Sequence, residues 1–339
     1  MKIALQNCNK RGIQLSNCCF AFSTDKNFIV PTYIAIHSLM HYADRESMYK
    51  VYMLTPSNLP SEHIGLIKSL EQIYDNLEIE IVNMGDAFKD SKLVIGHTPI
   101  ASMYRLVLSE LLPDCDRCIY MDGDVIVCDD MSELFSLDMD GYYIGAVRDI
   151  EAGQYMAQFD YNSSKPDPEG YVNSGFLVMN LKKIREDNLV SRFLELSKER
   201  FLFGDQDVIN IACKDKILYL DLKYNALVKY RFLSFKEKNY ADFITKYFSV
   251  KEIHEAIDKP VVIHYAQPLK PWHTPYNYKG NYWYDYINKY IGKDVRDSWI
   301  KDYINEKRCD TKTYYKTLFH RILYKAGILR IILKAKHAI

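Results

Sequence analysis

The sequence lacks the features that would place it at once in several broad classes of protein. Lys and Arg total 44 and Asp and Glu total 44, so there is no excess of positive charge and a nucleic-acid partner is not expected. The chain contains no run of about 20 apolar residues, the length that a bilayer-spanning helix needs. Its first residues, MKIALQNCNKRGIQLSN, contain no continuous apolar segment of the kind that is typical of a secretion signal.

Cysteine is present without a recognisable pattern. The chain has 8 cysteines, and without a secretion signal they indicate a reducing compartment, which predicts a cytoplasmic protein. Cys115 and Cys118 form one CxxC pair, but no second pair follows at the spacing of a zinc site. We therefore interpret these cysteines as ordinary thiols.

The remaining composition is that of a folded, soluble protein. A length of 339 residues accommodates one large α/β domain, or one domain with a small appendage. Hydrophobic residues make up 48% and charged residues 26%, which is ordinary for a globular chain. Tyrosine is abundant, with 28 residues against 15 phenylalanines. This abundance favours surfaces that stack on sugars, and it is equally consistent with compositional bias.

Strand-like and helix-like periodicity alternate through the first half of the chain. The strand-like segments are 18–23, 50–55, 77–84 and 118–122, and the helix-like segments are 31–43 (opened by Pro31), 61–74 and 99–112. This alternation predicts an α/β fold with a mostly parallel sheet and helices on both faces. In such sheets, ligands bind outside the carboxyl ends of the strands.

The second half is less regular. Segments 142–147 and 174–181 are strand-like, and the polar stretch 151–170 between them carries Pro and Gly. We interpret 151–170 as a loop, because loops of this length in a compact domain are usually lids or binding loops, although disorder is an alternative. The predicted organisation is an N-terminal extension (1–17), one domain (18–290) and a helical basic tail (291–339).

Two carboxylates one glycine apart end one of the predicted strands. Asp122 and Asp124 flank Gly123 in YMDGDVIV. An Asp-Gly turn explains three such residues on their own. However, Asp122 lies at the carboxyl end of a predicted parallel strand, and this position favours a site that holds a divalent metal.

A histidine near the end of the predicted domain completes a candidate metal site. His264 ends another apolar segment, and Lys270 follows six positions later. A single histidine after a strand is more often structural than a ligand. Two carboxylates and one imidazole nevertheless form an incomplete shell for Mn²⁺ or Mg²⁺, which phosphate oxygens and water would complete. Lys270 would then place a positive charge on the same phosphates.

Four segments together resemble the signature blocks of one enzyme family. LLPDCDRCIYMDGDVIV, YVNSGFLVMNLKKI, GDQDVIN and HYAQPLKPW, in this order, resemble glycosyltransferase family 8, which includes glycogenin and bacterial lipopolysaccharide galactosyl- and glucosyltransferases. The resemblance extends from about Phe20 to about Trp272. It implies a GT-A fold, a UDP-hexose donor carrying glucose or galactose, Mn²⁺, and transfer with retention of anomeric configuration to a saccharide or lipid-linked acceptor.

The resemblance also implies a role for individual residues. Asp122, Asp124 and His264 are similar to the family's three metal ligands, and Lys270 is similar to its diphosphate-binding lysine. The other implied positions are Asp25 and Asn27 at uracil and ribose, Arg105 beside the donor sugar, Gly123 in the donor loop, Asp149 near the sugar hydroxyls, and Asn173, Ser174, Asp205 and Gln206 along the sugar. Two positions depart from the family pattern: Gln267 replaces a glycine and Ser174 replaces a smaller alanine.

The residue at the position nearest the anomeric carbon bears on the mechanism. A double displacement needs a carboxylate there, but the sequence offers Gln206, whose amide is a poor nucleophile. We therefore expect the acceptor to attack from the face that the diphosphate leaves, with Gln206 as a positioning group. Asp205 is either a sugar-binding acid or the N-cap of a helix after Gly204. Asp207 is expected to be solvated.

Two other functions compete with glycosyl transfer. MDGDVIV approximates the DxDx[TV] loop of haloacid-dehalogenase-like phosphatases. That motif normally ends the first strand of its domain, whereas several α/β units precede it here and no later GDxxxD motif follows. A catalytically inactive nucleotide-sugar-binding module ranks below the enzyme, because all the expected ligand residues are present.

The last 29 residues, 311–339, form a basic segment without any acid. The basic residues are Lys312, Lys316, Arg321, Lys325, Arg330, Lys334 and Lys336, and apolar residues recur between them at helical spacing. A terminal helix packed on the domain, with solvated charges, is one interpretation. An anionic membrane surface explains the acid-free composition better, so we predict a peripheral protein on the inner face of the cell membrane.

Overall fold

The computed structural model describes most of the predicted domain. The described residues are 17–89, 100–157, 165–227, 245–266, 270–273 and 279–303. The strands are β1 (Asn17–Ser23), β2 (Met48–Thr55), β3 (Leu77–Asn83), β4 (Arg117–Asp122), β5 (Val125–Val127), β6 (Ile144–Arg148), β7 (Val172–Asn180), β8 (Ile217–Tyr219), β9 (Ala226–Leu227) and β10 (Val262–His264).

Helices connect most of these strands. The α-helices are α1 (Ile29–Tyr42), α2 (Ser61–Lys68), α3 (Leu108–Leu111), α4 (Ile150–Ala157), α5 (Leu181–Glu186), α6 (Leu189–Leu196), α7 (Asp205–Ala212), α8 (Val250–Asp258), α9 (Gly280–Tyr290) and α10 (Lys293–Tyr303). Short 3₁₀ helices occupy Ser69–Gln72, Ile100–Val107, Ser132–Ser136, Leu222–Asn225 and Pro271–His273.

The strands form one large and one small sheet. The large sheet has the order β3-β2-β1-β4-β7-β6-β8. Its strands are parallel except β7, which runs antiparallel to both β4 and β6. The small sheet has the order β5-β10-β9, with β10 antiparallel to β5 and parallel to β9. The predicted α/β class with a mostly parallel sheet is therefore confirmed.

Side chains on both faces of the large sheet are buried. In β1, Phe20 and Phe22 enter one apolar cluster together with Ile34 of α1. The intervening Ala21 enters a second cluster together with Phe193 of α6. Successive strand residues point to opposite faces, so a strand that is apolar at consecutive positions must be covered on both sides. This burial holds the carboxyl edge of the sheet in a fixed position.

Three predicted helices differ in extent or type. The segment 99–112 is a 3₁₀ helix over Ile100–Val107 and is α-helical only at Leu108–Leu111. Helix α1 begins at Ile29, so Pro31 is its third residue and does not open it. The segment 61–74 is α-helical only to Lys68 and then tightens to a 3₁₀ turn, where the Ser69 hydroxyl donates to the Leu66 carbonyl at 2.6 Å. Such local bonding of Ser competes with a regular α-helix.

The interpretation of 151–170 as a loop is wrong for its first part, where α4 lies. The Asp149 Oδ1 atom accepts the Ala152 N–H at 3.1 Å and thereby caps the start of this helix. Met156 is fully buried. Gly153 suggested a loop, but it is needed for packing, since a Cβ there would lie 2.5 Å from the Pro168 carbonyl oxygen. Residues 158–164 lie outside the described part of the chain.

The last described helices pack against α1. Tyr286 of α9 contacts a histidine of α1, with its hydroxyl 2.6 Å from His37 Nδ1, and the ring of Trp299 in α10 lies 5.2 Å from that of Tyr33. We call His37, Tyr74 and Tyr286 the histidine–tyrosine cluster. No helix within the described ranges is both long and apolar enough to cross a membrane. The basic segment 311–339 lies outside those ranges.

Candidate active site

The three candidate metal ligands meet at the carboxyl edge of the sheets. Strand β4 ends at Asp122, and a turn through Gly123 and Asp124 leads into β5. Because β10 runs antiparallel to β5, His264 is placed opposite Val125. His264 Nε2 lies 3.1 Å from Asp124 Oδ1 and 3.8 Å from Asp122 Oδ2. One ligand atom from each residue lies within 4.8 Å of the others.

A glycine lies against these ligands. Gly175 of β7 has no side chain, and a Cβ there would collide with His264 Cε1 and lie 2.5 Å from Asp122 Oδ2. The donor set of two carboxylates and one imidazole suits a divalent cation of the Mn²⁺ or Mg²⁺ type with open positions. The residues present therefore fit the metal that the sequence predicts.

Lys270 lies beside the second carboxylate. Its Nζ atom lies 2.6 Å from Asp124 Oδ2 and donates to the Tyr265 carbonyl at 2.7 Å. Burial alone would raise the pKa of Asp124, but the positive charge of Lys270 holds it well below its usual range. Asp124 is therefore an ionised carboxylate in a position where it is only 7% exposed.

Arg105 joins the first carboxylate to the predicted sugar region. Its guanidinium lies 2.8 Å from Asp122 Oδ1 and 3.2 Å from Asp205 Oδ2, and it also donates to the Ser174 carbonyl. It stacks on the Tyr120 ring at 4.2 Å. Burial opposes the charge of Arg105, yet the two carboxylates together raise its pKa. Arg105 thus remains a fixed positive charge.

The described side chains around this edge carry more negative than positive groups. The carboxylates are Asp122, Asp124, Asp149 and Asp205, and the cations are Arg105 and Lys270. These four carboxylates outnumber the two cations, and a divalent cation bound among them would reduce this imbalance. Buried charge without compensation is costly, so the electrostatics also favour a cation here.

The predicted sugar-lining residues form one buried network. Asn173 Nδ2 donates to Asp149 Oδ2 and to Gln206 Oε1, both at 3.1 Å. The Ser174 backbone N–H also donates to Gln206 Oε1 at 3.1 Å, and the Ser174 hydroxyl donates to Asp205 Oδ2 at 2.9 Å. Burial raises the pKa of Asp205 although Arg105 opposes this shift.

The GDQD segment places two acids differently from expectation. Asp205 is the first residue of α7, and the N-cap position belongs to Gly204, whose φ of +56° favours glycine. Asp207, expected to be solvated, is fully buried. Its carboxylate accepts the Tyr171 hydroxyl and the Phe203 N–H, which fixes the turn that presents Asp205 and Gln206.

The loop after β1 lies next to the carboxylates. Asp25 Oδ1 accepts the backbone N–H of Asn27 at 2.8 Å, while the Asn27 side chain is exposed. Asp25 lines a cavity of about 370 Å³ together with Ile100 and Tyr104. Ser23 pairs with Asp122 across β1 and β4, so the cavity and the candidate metal site share the same sheet edge.

The sequence did not reveal three residues that build this site. Asn225 bonds to His264, Gly175 lies against the metal ligands, and Asp207 holds the α7 turn. Gly175 and Asp207 stand in segments that the family resemblance includes, whereas Asn225 stands in none of them. Gln267, the departure from the family pattern, lies outside the described residues.

Comparison with known proteins gives the chain a family. The model of glycosyl transferase family 8 matches residues 19–275. Glycosyltransferase GlyF of Streptococcus pneumoniae is 30% identical over 256 residues, which cover 74% of this chain and 56% of GlyF. A lipopolysaccharide 1,2-glucosyltransferase of Escherichia coli is 32% identical over 182 residues, covering 51% of this chain and 49% of that protein. The chain thus spans about half the length of these two relatives.

Solved structures support the fold. The galactosyltransferase LgtC, in complex with donor and acceptor sugar analogs, superposes with a TM-score of 0.62 at 22% identity, covering 83% of this chain and 99% of LgtC. The bifunctional glycosyltransferase WbbM gives 0.71 at 19% identity, covering 88% of this chain and 53% of WbbM. At these identities the likeness shows the GT-A fold alone. Together with the family match over most of the sequence, it means that the chain belongs to glycosyl transferase family 8.

Proposed function

We propose that the protein is a retaining hexosyltransferase that moves glucose or galactose from a UDP-sugar to a saccharide or lipid-linked acceptor. The observation that carries this proposal is the meeting of Asp122, Asp124 and His264 beside Lys270 at the carboxyl edge of the sheets. A divalent cation bound there, Mn²⁺ in our proposal, would stabilise the negative charge that develops on the departing diphosphate. The phosphatase alternative is not favoured, because a glycosyltransferase family model matches the region that contains these carboxylates.

The surrounding side chains divide into three groups in this proposal. Asp25 and Asn27 bind the nucleoside, since Asp25 lines the cavity on the β1 side of the carboxylates. Lys270 binds the diphosphate as a fixed charge. Arg105 and the network of Asn173, Ser174, Asp149 and Asp205 orient the sugar through its hydroxyls. The proposed order along this edge is therefore nucleoside, diphosphate and sugar.

Gln206 is a positioning group in the proposed mechanism. Its Oε1 atom already accepts two hydrogen bonds at 3.1 Å, from Asn173 Nδ2 and the Ser174 N–H. An amide oxygen with both lone pairs engaged is a poor nucleophile, which argues against a covalent sugar on Gln206. The acceptor hydroxyl instead forms the new bond on the face where the bond to the diphosphate breaks.

The proposed cellular position follows from the basic segment 311–339. We propose that this segment docks on anionic lipid at the inner face of the cell membrane and brings the domain (18–290) to a lipid-linked acceptor. Truncation after residue 310 should release the protein from anionic vesicles at low salt and spare transfer to a water-soluble acceptor. Equal vesicle binding by the truncated and full chains would contradict this role.

A donor screen tests the proposed activity. The full chain is incubated with UDP-glucose, UDP-galactose and other UDP-hexoses in the presence of Mn²⁺, and released UDP is measured. We expect UDP release from one or two donors and none after chelation. Phosphate release from simple monoesters would favour a phosphatase, and tight UDP binding without any sugar release or transfer would favour an inactive binding module.

A further inference from the structure

Asn225 connects the candidate metal site to the sugar-side network. It lies at the end of the 3₁₀ helix Leu222–Asn225 and is fully buried. Its Oδ1 atom lies 2.9 Å from His264 Nδ1, and its Nδ2 atom donates to Asn173 Oδ1 at 2.9 Å. One amide therefore contacts a proposed metal ligand and a proposed sugar-binding residue at the same time.

A backbone group fixes the direction of these hydrogen bonds. The Gly175 N–H can only donate, and it donates to Asn173 Oδ1 at 3.0 Å. Asn173 must therefore present its oxygen at this point. It follows that Asn225 turns its Nδ2 towards Asn173 and its Oδ1 towards His264, because two amide oxygens cannot share a hydrogen bond.

This orientation determines the protonation of the His264 ring. Since Asn225 Oδ1 is an acceptor, His264 Nδ1 carries a proton, and in the neutral ring Nε2 therefore presents the lone pair. That lone pair faces Asp124 Oδ1 at 3.1 Å and Asp122 Oδ2 at 3.8 Å. Three acceptors so close together repel one another unless a cation binds between them.

We propose that Asn225 is a positioning residue, which holds His264 in the Nδ1-protonated tautomer and so prepares Nε2 as a metal ligand. Partners of this kind behind a ligating histidine fix its tautomer and its ring orientation. The same Asn173 that orients Asn225 also donates to Asp149 and Gln206, so metal ligand and sugar-binding groups share one rigid network. The inference rests on the proposed metal site, whereas the tautomer itself is measurable without any metal.

The first test reads the tautomer in the wild-type chain. A long-range ¹H–¹⁵N correlation spectrum of ¹⁵N-histidine-labelled protein, recorded with chelator, distinguishes the two neutral tautomers and the doubly protonated ring. The His264 signals are those that the H264Q variant loses. We expect the neutral ring to be protonated at Nδ1. A neutral ring protonated at Nε2 alone would overturn the inference even if the protein transfers sugar.

The second test measures Mn²⁺ affinity, independently of activity. The N225L variant keeps a similar volume but loses both hydrogen bonds, and we expect its Kd for Mn²⁺, from the EPR signal of free Mn²⁺, to rise about 10- to 100-fold. The matched control is N180L. Asn180 is the last residue of β7, at the end of the strand away from Asn173. Asn180 donates to the Met139 and Tyr142 carbonyls and caps α5, so its loss should lower thermal stability and leave the Kd unchanged.

A third variant distinguishes the two hydrogen bonds of Asn225. It also keeps the inference testable if N225L does not fold. N225D keeps an acceptor for His264 Nδ1 but replaces the donor to Asn173 with a second acceptor. We expect N225D to retain the Nδ1-protonated tautomer and a Kd for Mn²⁺ closer to wild type than that of N225L. Wild-type affinity in N225L, or loss of the tautomer in N225D, would overturn the inference. No Mn²⁺ binding by the wild type would overturn the proposed metal site as well.

Discussion

Two regions of the molecule bury polar side chains, and they do so in opposite ways. In the histidine–tyrosine cluster the groups are neutral and satisfy one another: Tyr286 Oη lies 3.1 Å and Tyr74 Oη 3.2 Å from the His37 carbonyl oxygen. At the carboxyl edge, the buried groups are charged and carboxylates outnumber cations. Buried polar side chains therefore have two different roles in this protein. A closed neutral cluster stabilises the fold, whereas a site with excess charge is completed by a ligand.

The largest expected effect comes from removing a charge at the carboxyl edge. D124N should lower the transfer rate at least about 100-fold, because it removes a proposed ligand and with it the stabilisation of the leaving diphosphate. Chelation should abolish wild-type transfer, and added Mn²⁺ should restore it. Steady-state UDP release measures both effects. Full activity in excess EDTA would contradict the assignment of Asp122, Asp124 and His264.

Filling the space beside the ligands should have a similar but smaller effect. G175A introduces a Cβ that collides with the His264 ring and Asp122. We expect Mn²⁺ affinity and transfer rate to fall about 10- to 100-fold, as when the shell around a metal is disturbed. G65A in α2 is the matched control, because nothing lies within 4 Å of its new Cβ. Equal Mn²⁺ affinities of the two variants would contradict the packing role of Gly175.

The role of Gln206 is tested by rate and stereochemistry together. Q206A should lower transfer up to about 100-fold through misplacement of the sugar. The anomeric configuration of the product, followed by NMR, should remain that of the donor. A sugar ester trapped on Asp205 in the wild-type protein would instead show a double displacement.

The histidine–tyrosine cluster should respond to pH through stability. Burial lowers the pKa of His37 to about 4. Between pH 6.5 and pH 4 the unfolded chain binds a proton at His37 that the folded protein does not, so the free energy of unfolding falls as the pH is lowered. The fall amounts to about 3 kcal/mol. Chemical denaturation at several pH values should show it in the wild type and not in H37Q.

The smallest effect should come from one hydroxyl of the same cluster. Y286F removes the nearer of two tyrosine partners of His37 Nδ1 and should cost about 1–2 kcal/mol of unfolding free energy. Transfer rate and Mn²⁺ affinity should not change, in contrast to the carboxyl-edge variants. A loss of Mn²⁺ affinity in Y286F would mean that the two regions are coupled and that the comparison drawn between them is wrong.

Most of the fold could be predicted from the sequence, because the periodicity of strands and helices is a local property. One exception was α4, which begins at the cap that Asp149 provides and includes Gly153 for close packing against Pro168. Neither contact leaves a periodic signal. A helix in a polar, glycine-bearing segment therefore cannot be predicted from periodicity when it depends on tertiary contacts.

The candidate site could be predicted only in part. The structure brings Asp122, Asp124, His264 and Lys270 together, and their types and order in the sequence indicated such a site. Asn225 could not be found in this way, since its two partners are 39 and 52 residues away and it stands in no motif. Likewise, the burial of Asp207 depends on Tyr171, which lies 36 residues earlier. Such roles are set by non-local hydrogen bonds.

The pairing of β10 with β5 has a consequence for how the chain is made. Lys270 and Asp124, which form an ion pair, are 146 residues apart. During synthesis, the acidic pair Asp122 and Asp124 therefore emerges long before the basic residue and the histidine that complete its surroundings. Contacts of such high sequence separation form late in folding. Until then Asp124 lacks the partners His264 and Lys270, and the carboxyl edge is completed only after residue 270 has been synthesised.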